Sequence, residues 1–73
     1  MNIENETIEI YNSAIKQTGL LNLPLTKESI KKVCEVNIYA ICQAVNNNSL
    51  MSDKFKQDLT DHYKKIFTKI LIL

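Results

Sequence analysis

The stretch TKESIKKVCEVNIYAICQAVN, residues 26–46, decides the fold because it allows two helical arrangements. Its apolar residues recur at the three- and four-residue spacing of an amphipathic helix, and Thr26 is a good N-cap for a helix beginning at Lys27. One continuous helix would be a packing element of a small helical bundle. Two short helices joined by a tight turn near Glu35 would instead form a helix-turn-helix.

The two arrangements place three neighbouring residues differently. One helix puts Asn37 near the centre of the apolar face, where an amide without a partner costs about 1–3 kcal/mol, and turns Val36 and Tyr39 toward water. A break lets Val36 turn inward and makes Asn37, a favoured N-cap residue, the start of a second helix. The sequence therefore favours a break, with helices over 27–34 and 38–46.

The flanking segments each predict one further helix. Acidic residues crowd the start of the first, which we expect over 4–18 with Gly19 as its C′ residue. Ser52 is an N-cap for the last helix, expected over 53–71. The connection LLNLPL, residues 20–25, is apolar for a loop, so its leucines are expected to pack on the core.

Composition restricts the chain to one small helical domain spanning residues 1–73. Its 73 residues include 45% hydrophobic and 23% charged residues, which is too apolar for a disordered chain. One glycine and one proline are too few for the turns of a many-stranded sandwich or barrel. The sequence thus predicts an all-α fold.

The same composition argues against a membrane, secreted or metal-binding protein. The N-terminal MNIENETIEI is acidic where a signal peptide is basic, and no apolar run approaches the ~20 residues that span a bilayer. We therefore expect a cytoplasmic protein with reduced cysteines. Cys34, Cys42 and His62 lack the spacing of a zinc site, so no metal or cofactor is expected.

An enzyme is not expected either. The sequence shows no nucleophile beside a base and no glycine-rich phosphate loop. The single His62 has only Asp58 and Asp61 close by in sequence, and such pairs on a helix are usually solvated contacts. His62 is therefore expected to be a half-exposed packing residue.

The residues of the central stretch resemble a known regulator family. The pattern I30, K31, C34, E35, V36, N37, I41, A44 is similar to the helix-turn-helix of lambda-repressor and Cro (XRE-type) phage regulators. C-E-V-N stands where that family has C-G-V-S or L-G-V-S. The resemblance implies a compact four-helix lambda-repressor-like domain, with the helix-turn-helix at 27–46.

That resemblance further implies a sequence-specific DNA-binding transcriptional regulator of Cro or repressor type, acting on double-stranded DNA. The helix over 38–46 would enter the major groove, with Gln43 on an adenine and Ile38 or Tyr39 against a thymine methyl. Other residues would lie nearer phosphates. The full implied DNA-binding set is Lys27, Lys31, Asn37, Ile38, Tyr39, Gln43 and Asn46.

The carboxyl end of the chain predicts self-association. The last helix carries more apolar residues than so small a core can cover, and large exposed apolar patches usually mark interfaces. The excess residues Phe67, Leu71, Ile72 and Leu73 would pair two copies. A two-fold dimer would also space two recognition helices about 34 Å apart, as a palindromic operator requires.

The alternative is a plain three-helix bundle that binds a protein rather than DNA. In that arrangement the apolar stripe of residues 30–45 is the inner face of a middle helix, and the lysines are a solvated surface. The corresponding function is that of a small protein-binding module of antitoxin, immunity or inhibitor type.

Overall fold

Three α-helices make up residues 2–73, the part of the chain that the computed structural model describes. They are α1 (Ile3–Leu20), α2 (Lys27–Asn46) and α3 (Asp53–Leu71). The prediction of an all-α fold is confirmed, since these residues contain no β-strand. None of the three helices combines the length and apolarity needed to cross a bilayer.

A polar residue precedes each helix and caps its first turn. The side-chain oxygens of Asn2, Thr26 and Ser52 accept the backbone N–H three residues later, at 3.1, 3.1 and 3.2 Å. These bonds satisfy N–H groups that have no partner inside the helix. The caps predicted at Thr26 and Ser52 are therefore confirmed.

Helices α2 and α3 run antiparallel as a hairpin that is tied at both ends. Lys31 Nζ donates to the carbonyl of Leu71 at 2.9 Å, and Lys56 Nζ donates to the carbonyl of Asn46 at 3.1 Å. Both ammonium groups meet the carboxyl end of the opposite helix, where carbonyls lack partners and the helix dipole is negative.

Helix α1 lies against both members of the hairpin. Near its start, Glu6 Oε2 lies 2.7 Å from His62 Nε2 of α3. Near its end, Gln17 Oε1 accepts from Asn37 Nδ2 of α2 at 2.6 Å. Between these contacts α1 covers a core drawn from all three helices, whose buried residues are Ala14, Ile30, Val33, Cys34, Ile38, Ile66 and Ile70.

The predicted break in the middle of α2 is wrong. Residues Lys27–Asn46 form one continuous helix, so there are no separate helices over 27–34 and 38–46 and no helix-turn-helix at 27–46. The predicted four-helix domain is corrected to the alternative, a three-helix bundle. Val36 does not turn inward but is 62% exposed.

The partner of Asn37 explains why no break is needed. The free-energy cost expected for one continuous helix applies to an Asn37 amide without a hydrogen-bond partner. In the structure the Asn37 amide donates to Gln17, which lies on α1. Asn37 is only half-buried, at the edge of the core rather than at its centre. The continuous helix therefore keeps its backbone hydrogen bonds without leaving this amide unpaired.

A glycine at position 35 tests the continuity of α2. In an exposed helix interior, Glu35→Gly is expected to lower the free energy of unfolding by about 1 kcal/mol relative to Glu35→Ala. If residue 35 instead lay in a tight turn with a left-handed backbone, Glu35→Gly would raise the free energy of unfolding by about 1–2 kcal/mol relative to Glu35→Ala. Urea unfolding followed by circular dichroism measures the difference, and a more stable glycine variant would contradict the unbroken helix.

Candidate functional site

The residues predicted to bind DNA do not form one surface. Tyr39 and Gln43 are exposed side by side on α2, with Gln43 Nε2 donating to the Tyr39 hydroxyl at 2.9 Å. Lys27 and Asn46 are exposed at opposite ends of this 20-residue helix. A rise of 1.5 Å per residue separates them by about 28 Å along its axis.

The remaining members of the predicted set pack in the core or contact another helix of the bundle. Ile38 is 6% exposed and belongs to the core, so its side chain is not available to a base. Lys31 is tied to the carbonyl of Leu71 and Asn37 to Gln17. The predicted surface therefore reduces to Tyr39, Gln43 and the neighbouring Asn46, with Lys27 at the far end of the helix.

A more extensive apolar surface lies between the end of α1, the following loop and the middle of α2. It is a groove of about 600 Å³, here called the leucine groove. Among the residues that line it, Leu20 is 83% exposed, and Leu21 and Val36 are exposed as well. The apolar lining residues are Leu20, Leu21, Leu23, Val33 and Val36.

The leucine groove corrects the expectation that the leucines of residues 20–25 pack on the core. All four of them are exposed, and three line the groove. The sequence showed an unusually apolar loop but could not show whether anything covers it. The apolar composition of residues 20–25 is the sequence signal for this exposed apolar surface.

The loop that carries these leucines is fixed by a Schellman motif. Asn22 has a left-handed backbone with φ of 57°. Its N–H donates to the carbonyl of Gly19, and the N–H of Leu23 donates to the carbonyl of Thr18, both at 3.1 Å. The C′ residue is thus Asn22 and not Gly19, and α1 ends at Leu20 rather than at residue 18.

Polar side chains border the leucine groove. The Gln17–Asn37 hydrogen bond lies along one edge, with Ser29 and Lys32 also lining the groove. Lys32 Nζ lies 3.9 Å from Glu35 Oε2, and both side chains are exposed. A surface ion pair of this kind contributes little, so the Lys32 ammonium is available to a ligand.

A second apolar surface lies where the start of α1 meets the end of α3. It is a depression of about 360 Å³ lined by Glu4, Thr7, Ile8, Lys69, Ile72 and Leu73, here called the terminal patch. Ile8 and Ile72 are exposed, as is Leu71 beside them. Of the residues predicted for a dimer interface, Leu71, Ile72 and Leu73 are exposed, whereas Phe67 packs partly against the core.

The two cysteines and the single histidine are buried or partly buried within the bundle. Cys34 is fully buried, and burial raises the pKa of its thiol, so the nucleophilic thiolate is disfavoured at neutral pH. Cys42 is partly buried, and both cysteines are free. His62 meets Glu6 across two helices, a partner that sequence proximity could not indicate. Within residues 2–73, no three His, Cys, Asp or Glu side chains are grouped as metal ligands.

Comparisons with known proteins give no match to any family model, curated protein or solved structure. The resemblance to Cro-type regulators therefore stays a prediction. What can be said of function comes from the surfaces described above.

Substitution of Asn22 tests the loop that shapes the leucine groove. Because φ is 57° at this residue, Asn22→Ala is expected to lower the free energy of unfolding by about 1 kcal/mol relative to Asn22→Gly. Asn47, the C-cap of α2 with φ of −88°, is the matched control, where alanine should not be disfavoured. Urea denaturation of the variants checks this, and equal effects at both positions would contradict the left-handed turn.

Proposed function

We propose that this protein is a small helical protein-binding module whose leucine groove takes the apolar face of an amphipathic helix from a partner protein. One observation carries the proposal: exposed aliphatic side chains from two helices and their connecting loop surround a single groove. Contiguous exposed apolar surface on a small soluble domain usually marks an interaction site, because leaving it in water is unfavourable.

The form of the groove favours a helix as the ligand. Extended peptides commonly bind by adding a strand to a sheet edge, and residues 2–73 offer no strand to extend. An amphipathic helix instead presents anchors at i, i+3 or i+4, and i+7 to an apolar groove. Leu20, Leu23 and Val36 would contact such anchors.

The border of the groove indicates the charge of the partner. Lys32 is the charged residue that lines it, and its ammonium is held only loosely by Glu35. Gln17, Ser29 and Asn37 add uncharged polar groups. A partner helix with aliphatic anchors and a carboxylate at its edge, opposite Lys32, complements this pattern.

In the proposed mechanism, the rigid leucine groove binds a helix of the partner protein and covers it. The capped helices and the Schellman turn hold the groove in place, so little conformational entropy is lost when the ligand binds. Binding that masks a helix of another protein is how an antitoxin-, immunity- or inhibitor-like module would act.

DNA binding is the second candidate, favoured by the exposed Tyr39–Gln43 pair. A tyrosine ring and an amide can contact base edges. However, α2 is continuous and a net charge of +1 supplies few phosphate contacts. The protein partner is therefore the main proposal.

Selection from a displayed library of helical peptides tests the leucine groove. We expect enriched peptides to carry aliphatic residues at helical spacing and an acidic residue at their edge. Leu20→Asp and Val36→Asp should each weaken the selected peptides at least about tenfold, because a charge would enter an apolar contact. Leu50→Asp is the matched control, since Leu50 is 95% exposed in the α2–α3 loop, away from the groove.

Two further results of this selection decide the proposal. Lys32→Glu should shift the enriched edge residue from acidic to basic. Peptides that bind Leu20→Asp and Val36→Asp as tightly as the unmodified protein would contradict the groove as the binding site.

Salt dependence separates the two candidate partners. A DNA complex should weaken steeply as salt rises, because bound phosphates release counterions, whereas an apolar protein contact should change little. Fluorescence anisotropy with labelled duplexes at two salt concentrations measures this, and we expect no salt-sensitive binding. DNA binding would be established instead by an affinity for duplexes that falls steeply with salt. In that case Gln43→Ala should weaken binding to one DNA sequence, and Lys27→Ala should weaken binding to all sequences.

A further inference from the structure

We infer that the terminal patch is a self-association surface, on which two copies of this chain pair about a two-fold axis. This inference is independent of the proposed function, since the terminal patch and the leucine groove share no lining residue. It rests on the apolar content of the patch and on the charges at its border.

The apolar part of the patch is exposed on two helices at once. Ile72, the C-cap of α3, is 82% exposed, and Ile8 is exposed on α1. Ile15 lies seven residues after Ile8 and therefore on the same face of α1, where it is also partly exposed. The stripe formed by Ile8 and Ile15 extends the apolar surface of the patch along α1.

The charges of the patch favour a second copy as the occupant. Glu4 borders it on α1 and Lys69 borders it on α3. Neither side chain forms an ion pair with another residue of the described chain, 2–73. In a two-fold interface each residue meets its counterpart reciprocally, so Glu4 of each copy can face Lys69 of the other.

This arrangement of charge is self-complementary. A patch bordered by one sign of charge would repel a second copy, whereas one glutamate and one lysine allow two equivalent ion pairs around the buried isoleucines. A small domain also has a small core, and burying further apolar surface in a dimer would add to its stability. The dimer would leave both leucine grooves free to bind two partner helices.

Sedimentation equilibrium of the intact protein at tens of micromolar tests the inference. We expect a dimer, which Ile72→Asp converts to a folded monomer because a carboxylate would enter the apolar centre of the interface. Leu50→Asp, the same aliphatic-to-acidic change at an exposed leucine outside the patch, should stay dimeric. Circular dichroism and thermal unfolding confirm that both variants fold.

A charge exchange tests the two-fold geometry. Glu4→Lys and Lys69→Glu alone should each raise the dimer dissociation constant at least about fivefold, because two attractive pairs become two repulsive ones. The double variant should return it to within about twofold of the original value. Single reversals without effect, or a double variant that fails to recover, would overturn the reciprocal pairing.

The remaining outcomes separate this inference from the proposed function. A monomeric protein at these concentrations overturns the dimer but leaves peptide binding at the leucine groove intact. A dimer that survives Ile72→Asp and is lost in Leu20→Asp also overturns it, and identifies the occupant of the leucine groove as a second copy.

Discussion

The apolar core shared by the three helices holds the bundle together, and the hydrogen bond between Asn37 and Gln17, at 2.6 Å, joins α1 to the middle of α2 at its edge. This hydrogen bond gives the amide in the middle of α2 a partner, so that the helix can continue through it. It also fixes the end of α1 against that helix. The position of α1 in turn sets the direction of the loop, and the loop carries the leucines that line the groove. This polar pair therefore lies beside both the unbroken middle of α2 and the leucine groove.

Local signals predicted the capped starts of α2 and α3, whereas features that depend on contacts between helices were not predicted. The caps at Thr26 and Ser52 act within one turn, so they can be read from sequence and are present. The partner of Asn37 is 20 residues away and that of His62 is 56 residues away, and neither pairing has a signature in the linear pattern. The same limit explains the loop leucines. A sequence shows that they are apolar, but burial depends on whether another element lies over them.

The resemblance to a helix-turn-helix arose from features that a continuous helix shares. Apolar residues at positions 30, 34 and 41 suit the inner face of either arrangement, so they could not discriminate between them. The discriminating residue was Ile38, which a recognition helix exposes and which this bundle buries. Several large aliphatic side chains, among them Leu20, Leu50 and Ile72, lie outside the core. Such surface adds nothing to folding stability in the monomer, and this is the ground for the proposed protein-binding role.

The two lysine contacts at the ends of the α2–α3 hairpin and the packing of α1 hold the bundle together in different ways. The lysine contacts join elements that are adjacent in sequence, whereas α1 is held to the hairpin by its apolar face and two polar contacts. Undocking of α1 would expose its buried Ala14 and Thr18 together with the core residues of the hairpin, so α1 and the hairpin depend on each other for their packing. The walls of the leucine groove belong to different elements, one on α1 and its loop and the other on α2. A ligand that contacts both walls is thermodynamically linked to the docking of α1, and its binding energy would slow hydrogen exchange across that helix.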